Sequence, residues 1–290
     1  MSAPRSSHRP AYYAALAGPF TLGLVLSGYQ ADVVDLPWHL KAGEWILQHH
    51  AVPQTDFFSF TRQGLEWLDA QWLFQVVIYG FYSALGPAGV TVFMMAATVL
   101  CLALLLALVP GLPLGARLTS GLLFLFAVNL RIMPRPEMVS FVCIAAMFFI
   151  LEKARRRGPR ALVWVFPLAV VWSNSEGLWP IGSFVTGVYA LEAGWALRDR
   201  RAWPWAVALA ATVLAGLLQP YGLRGFLFPL TLLREVVHPA TVHKQTVLEL
   251  AQGGYLAHAE PILMFGNPGL GIRVQRGLGS HPQRPAQEWH

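Results

Sequence analysis

Asp32-Val-Val-Asp-Leu-Pro-Trp-His-Leu-Lys-Ala-Gly-Glu-Trp-Ile46, continued by Val52-Pro-Gln-Thr-Asp-Phe-Phe-Ser-Phe-Thr61 and Glu66-Trp-Leu-Asp-Ala-Gln-Trp-Leu73, is the one long polar segment of an otherwise apolar chain. Six of the fifteen acids fall in it, Asp32, Asp35, Glu44, Asp56, Glu66 and Asp69, and only Lys41 and Arg62 oppose them. Apolar runs of membrane length flank it on either side. The segment therefore reads as an acidic, tryptophan-rich loop that carries the chemistry, with the rest of the chain as its scaffold.

Composition decides what kind of scaffold. Hydrophobic residues make up 55% and charged residues 12%, against about 45–50% and about 25% in ordinary globular chains. Apolar runs of about 15 to 22 residues recur, the length of membrane-spanning helices. The expected fold is an all-α polytopic membrane bundle. The net charge of +6 does not point to nucleic acid. Its basic residues gather at the ends of apolar runs (Arg5 and Arg9; Lys153, Arg155, Arg156, Arg157 and Arg160; Arg198, Arg200 and Arg201), as cytoplasmic loops require. Cys101 and Cys143 both lie inside apolar runs, which argues against a disulfide framework or a cysteine metal site.

The cytoplasmic N-terminus is assigned to 1–10 and the first span to Ala11–Tyr29. Later spans are expected at 88–109, 117–133, 138–152, 161–175, 178–197 and 203–219. Trp72–Leu85 is short for a span, and Trp67, Trp72 and Tyr79 suit the headgroup layer. Reading it as a helix lying in the outer interface leaves about seven spans and keeps both basic runs, 153–160 and 198–201, in the cytoplasm; the alternative is a tilted or bent eighth span that overrides the charge bias. The outer first loop then covers 30–87. Every unusual polar motif falls on the same outer side: this loop, Arg131-Ile-Met-Pro-Arg-Pro-Glu137, Ser173-Asn-Ser-Glu-Gly177 and Gln219-Pro-Tyr-Gly222. Leu223, Phe226, Leu227, Leu230 and Leu233 recur at helical spacing and mark an amphipathic interfacial helix. The segment 236–290, rich in Gly and Pro, is expected to be poorly ordered or truncated.

Among the candidate residues, Asp35 stands ahead of a helix opened by Pro37, where the partial positive charge of the helix end favours a carboxylate. It either caps the helix or serves as a general base or metal ligand; a divalent metal stays open. His39 lies four residues on and could face the same way, or serve as a hydrogen-bonded structural residue. His49-His50 reads as the polar cap at that helix's end, and Asp56 as a turn former. Arg131 and Arg135, with Glu137 beside them, suit bidentate recognition of a lipid phosphate, or form plain ion pairs. Asn174 and Glu176 sit at the end of a span, either lining a cavity or emerging into water. No Walker, Gly-x-Ser-x-Gly, His-Glu-x-x-His or Cys-x-x-Cys motif is present.

Asp35-Leu-Pro-Trp-His-Leu-Lys-Ala-Gly-Glu-Trp-Ile46, Pro53, Asp56-Phe-Phe-Ser-Phe-Thr61 and Glu66-Trp-Leu-Asp-Ala-Gln-Trp-Leu73 resemble the first outer loop of bacterial GT-C-type glycosyltransferases. These polytopic, mannosyltransferase-like membrane enzymes take a sugar from a polyprenyl-phosphate carrier. The resemblance continues through Arg131–Glu137, Trp172–Gly177 and Gln219–Pro229, and it assigns a GT-C-like module to 11–235. It implies a seven-span unit in the bacterial inner membrane, a periplasmic active site and an essential acid at Asp35. Val33 occupies the place of a second family acid, with Asp32 displaced by one; Glu176 stands where relatives carry His, and Gln219 where they carry Asn.

The expected reaction is hexosyl transfer from a polyprenyl-phosphate-linked sugar donor to an acceptor, with inversion. Asp35 would act as base, while His39, Arg131, Arg135, Glu137, Asn174 and Glu176 would bind substrate. The alternative is a catalytically incomplete fragment serving as a membrane scaffold or lipid binder. Because Ala11–Tyr29 lacks an Ala-x-Ala-like cleavage site, it is expected to stay attached as a span. Sequencing the N-terminus of the membrane-extracted protein checks this: a homogeneous start near Ala31 would refute an uncleaved first span.

Overall fold

The computed structural model describes residues 9–28, 35–58, 63–197 and 202–237. Asp32, Arg198, Arg200, Arg201 and the expectation for the tail from 238 onward lie outside the described residues. The architecture is all-helical. Ten α-helices are described: α1 Arg9–Gly28, α2 Leu36–His49, α3 Trp72–Leu85, α4 Pro87–Leu108, α5 Leu114–Val128, α6 Glu137–Arg157, α7 Val165–Ser175, α8 Pro180–Leu197, α9 Trp203–Ala215 and α10 Gly222–Val237. Extended backbone pairing among the described residues comes down to one antiparallel bridge, Thr55 to Glu66.

Several helices are shorter than the apolar runs that encode them. α5 stops at Val128 and gives way to a 3₁₀ turn, Asn129–Arg131. The run from Ala161 opens within a 3₁₀ segment, Pro159–Trp164, and only Val165–Ser175 is α-helical. Eleven residues of α-helix cover about 16 Å. Among the described residues only Pro87–Leu108 is both long and apolar enough to cross a membrane by itself; Ala14–Gly28, Trp72–Leu85 and Trp203–Ala215 are shorter apolar helices.

α4 is the central element of the first half, in contact with α1, α3, α5 and α6; α6 joins that half to α7 and α8, and α9 closes against α7 and α8. Three buried apolar clusters are found among the described residues, the smallest formed by Cys143, Trp172 and Trp179. Phe74 and Ile78 of α3 meet Val90, Phe93, Met94 and Ala97 of α4, and the loop residue Ile132 and Met138 of α6 are buried in the same cluster. In the second, Met147 and Leu151 of α6 pack with Leu162, Val165, Trp205 and Ala208. At the far end of α6, the Glu152 carboxylate accepts from both Arg155 and Arg156. Arg156 also donates to the Leu108 carbonyl, and Arg117 to that of Leu106. Those two donors satisfy carbonyls that the last turn of α4 leaves without helical partners.

α2 and α3 approach closely because Gly43 has no side chain: a Cβ there would strike the Gln75 carbonyl oxygen and lie 2.8 Å from Tyr79 Cβ. Gly80, also helical, has open space around it. Gly43→Ala should therefore destabilise the protein by about 1–3 kcal/mol through overpacking. Gly80→Ala should be neutral or stabilise by about 0.5–1 kcal/mol, and thermal unfolding of the two purified variants beside wild type checks both.

Candidate functional site

Burial of apolar neighbours builds the site. Leu36 and Leu40 of α2 pack against the core cluster that holds Ile132 and Met138. This brings Asp35, one residue before Leu36, to the loop carrying Arg131 and Arg135. The loop is short of backbone donors because Pro134 and Pro136 have none. It turns through Met133 N–H to Arg131 O and Arg135 N–H to Met133 O before α6 begins. Asp35 Oδ2 lies 2.7 Å from Arg135 Nη2, with 42% of the Asp35 side chain and 37% of the Arg135 side chain exposed. At that exposure an ion pair is worth only about 0–1 kcal/mol, so an incoming anion can compete for the arginine. Arg131 and Glu137 form a looser second pair, 3.7 Å apart.

The capping role for Asp35 is not realised. Its side chain makes no cap hydrogen bond, and its backbone is in the αR region (φ −80°, ψ −17°), where an N-cap is ordinarily extended. Pro37 also removes one of the amides a cap would bind. Asp35 contributes its backbone carbonyl to the first turn, through the His39 N–H. The carboxylate is left to Arg135.

His39 points inward. It is 3% exposed, stacks on Trp38 and meets the Phe74 ring edge-on. Its Nδ1 is buried without a partner. Burial lowers the imidazole to about 4, with the Asp35 carboxylate opposing the shift and Arg135 adding to it. A neutral ring follows at neutral pH. Asn174 is spent on structure: its Oδ1 accepts from Trp72 Nε1, and its Nδ2 donates to the carbonyls of Val170 and Leu218. It thereby ties the start of α3 to the ends of α7 and α9. Glu176 is buried; its carboxylate accepts from Ser140 Oγ and the Leu178 N–H, while Ser140 in turn accepts from Trp172 Nε1. Burial raises the Glu176 carboxyl above its ordinary range, with hydrogen bonds from Leu178, Ser140 and Gly177 opposing and Glu137 adding to the rise.

Of the sequence candidates, the structure thus joins Asp35 to Arg135 and Arg131 to Glu137, and it holds Asn174 and Glu176 in internal hydrogen bonds. His49 Nδ1 bonds the Trp45 carbonyl, and His50 ends α2 with φ 50°, so this pair does form the helix's polar end. Asp56 takes the Phe58 N–H in a turn. Around Trp38 gathers a half-buried aromatic cluster: Phe58 and Trp67 contact it at 6.1 and 5.4 Å between centroids, and Phe57 stacks on Trp45 at 4.8 Å. Among the described residues no group of three or more His, Cys, Asp or Glu side chains is placed to hold a metal.

Sequence reasoning passed over a clasp that secures the loop. Tyr221 OH accepts from the Asp69 N–H and donates to the Pro53 carbonyl, and Arg224 pairs with both Glu66 carboxylate oxygens at 2.7 and 2.9 Å. Gln219-Pro-Tyr-Gly222 was visible as a motif, but nothing in it named Pro53 or Asp69 as partners. No family model, curated protein or solved structure matches the chain.

The His39 shift has a stability consequence with a definite sign. The folded value is below the ordinary 6.5, so its contribution is complete above about 6.5 and is lost as pH falls through about 4, to a limit of about 3 kcal/mol. His39→Phe, which keeps an aromatic ring between Trp38 and Phe74 but cannot titrate, should lack this acid-side loss. Thermal unfolding of both proteins between those limits reads the difference.

Proposed function

We propose that the chain is a membrane-embedded glycosyltransferase module of about seven spans, moving a hexose from a polyprenyl-phosphate carrier to an acceptor on the outer face of a bacterial inner membrane. The observation that carries this reading is the half-exposed Asp35–Arg135 ion pair, a base and a phosphate-binding cation in direct contact. Its position supports the orientation. The pair lies at the N-terminal end of α6, whereas Arg155, Arg156 and Arg157 end the same helix, about 30 Å away along 21 residues. Membrane immersion is supported by side chains that face away from the bundle, including Phe126, Phe184, Leu191 and Trp195, each more than 70% exposed. Water would not favour such a surface, and lipid would. Ser27, Thr98, Ser140, Thr186 and Thr212 are buried instead.

In this reading the lipid-linked phosphate takes Arg135 from Asp35, with Arg131 beside it. The freed Asp35 carboxylate accepts the proton of the acceptor hydroxyl. That oxygen forms a bond to the anomeric carbon as the bond to the phosphate oxygen breaks, and the arginines offset the charge of the departing polyprenyl phosphate. One displacement inverts the anomeric centre. The enclosure of Asn174 and Glu176 favours a second reading, a catalytically incomplete membrane scaffold or lipid binder.

Assays in purified membranes with a polyprenyl-phosphate hexose separate the two readings. Asp35→Asn should reduce transfer by about 10²–10⁴-fold, the usual contribution of a general base, with carrier binding retained. Arg135→Ala should weaken carrier binding. Transfer by Asp35→Asn at the wild-type rate would remove Asp35 from the mechanism, and carrier binding without transfer by wild type would favour the scaffold.

A further inference from the structure

Asp69 is the most deeply buried acid among the described residues, 2% exposed. Its Oδ1 accepts from the Gln71 N–H at 3.2 Å and from Gln75 Nε2 at 2.9 Å. Its Oδ2 is buried without a partner, and so is Gln75 Oε1. Two orphaned acceptors on the same bonded pair of side chains have one economical explanation. A carboxylic acid and a primary amide pair through two hydrogen bonds, one in each direction. The Gln75-to-Asp69 bond is in place, and a proton on Oδ2 supplies the reverse one to Gln75 Oε1. A single proton then satisfies both atoms, where an ionised carboxylate would leave both unmet in a site that penalises unpaired buried charge.

We propose that the Asp69 carboxyl carries a proton and forms a two-point acid–amide pair with Gln75, which makes the clasp between the 51–70 loop and the Tyr221 turn sensitive to pH. The surroundings agree. No cation pairs with Asp69 among the described residues. The titratable group in contact with it is Tyr221, whose phenol accepts the Asp69 N–H and is itself pushed up to about 12 by burial. Other charged groups on the neighbouring elements are already engaged: Glu66 with Arg224, Asp35 with Arg135, and Asp56 with the Phe58 amide. His39 of α2 is neutral at neutral pH. Burial raises the Asp69 carboxyl to about 7, against the bonds from Gln71 and Gln75.

The sign follows from that direction. The acid form costs nothing to bury at low pH; as pH rises from the ordinary carboxylate range through about 7, ionisation opposes the fold and the clasp loosens. The effect reaches the candidate site through packing. Trp67, two residues before Asp69, lies 5.4 Å from Trp38, three residues after Asp35. Lower pH therefore holds the aromatic cluster in place beside the Asp35–Arg135 pair, and higher pH releases it. This inference does not depend on the catalytic reading.

Infrared spectra of the full chain, with carboxyl-¹³C aspartate and without it, test the proton directly. The expected result is an aspartic acid carbonyl band present in slightly acid buffer, lost with a midpoint near neutral, and missing from Asp69→Asn. Hydrogen exchange at the Asp69 and Gln71 amides, corrected for intrinsic base catalysis, tests the clasp. Protection in wild type should fall about tenfold for each pH unit between the ordinary carboxylate range and the midpoint, and level off above it. Asp69→Asn places an amide where the acid stood, can make the same two bonds to Gln75, and should keep its protection flat across that range. The proposal is overturned if labelled wild type shows no such band, or if the band persists without a neutral midpoint. It is equally overturned if Asp69→Asn folds and loses protection at all pH values, or if it fails to fold, because either outcome shows that the ionised form is the one the structure needs.

Discussion

Everything at the candidate site depends on one apolar contact: Leu36 and Leu40 of α2 resting on the cluster that also buries Ile132 and Met138. Neither Asp35 nor Arg135 is buried enough to hold the other by electrostatics, since a half-exposed ion pair contributes about 0–1 kcal/mol. Each fully buried aliphatic side chain contributes about 1.5–3 kcal/mol. The apolar residues immediately beside the charged ones therefore set the geometry, and the ion pair follows from it. A weak pair on a rigid support leaves the arginine able to change partners without disturbing the fold.

The described residues that connect α2 to α3 are tied down by polar bonds to distant elements. Trp72 reaches Asn174, Tyr221 bridges Asp69 to Pro53, and Arg224 grips Glu66. These link α3, α7 and the α9–α10 connection across one end of the bundle. The close helix contacts serve the same end. Gly43 lets α2 lie against α3, which holds the helix that follows Asp35 close to the helix that follows the clasp. Burial then governs protonation, as it holds His39 and Asp69 toward their neutral forms from opposite directions.

Much of the plan was legible in the sequence because it rests on local chemistry and periodicity. Trp72–Leu85 emerges as a helix with the expected bounds, Pro37 marks the start of α2, and the amphipathic Gly222–Val237 is helical. Asp56 and His49-His50 make the local turn and cap their spacing suggests. Helix lengths were less legible. The apolar runs of 117–133 and 161–175 are broken by 3₁₀ segments, since hydropathy reports burial or lipid contact and does not register the backbone's tighter turn.

By itself, then, the sequence determined an all-helical chain with one acidic, aromatic loop, Asp35 at a helix start and paired arginines in a proline-rich turn. Those properties come from residues near one another along the chain. Only the tertiary structure decided which arginine Asp35 meets, that His39 faces inward, that Asn174 and Glu176 are enclosed, and that burial drives Asp69 toward its protonated form. Each of these depends on solvent exclusion by residues far away in sequence: Arg135 lies on the α5–α6 connection and Tyr221 on the α9–α10 connection. A carboxylate's identity is written in one residue, but its charge state is set by everything packed around it.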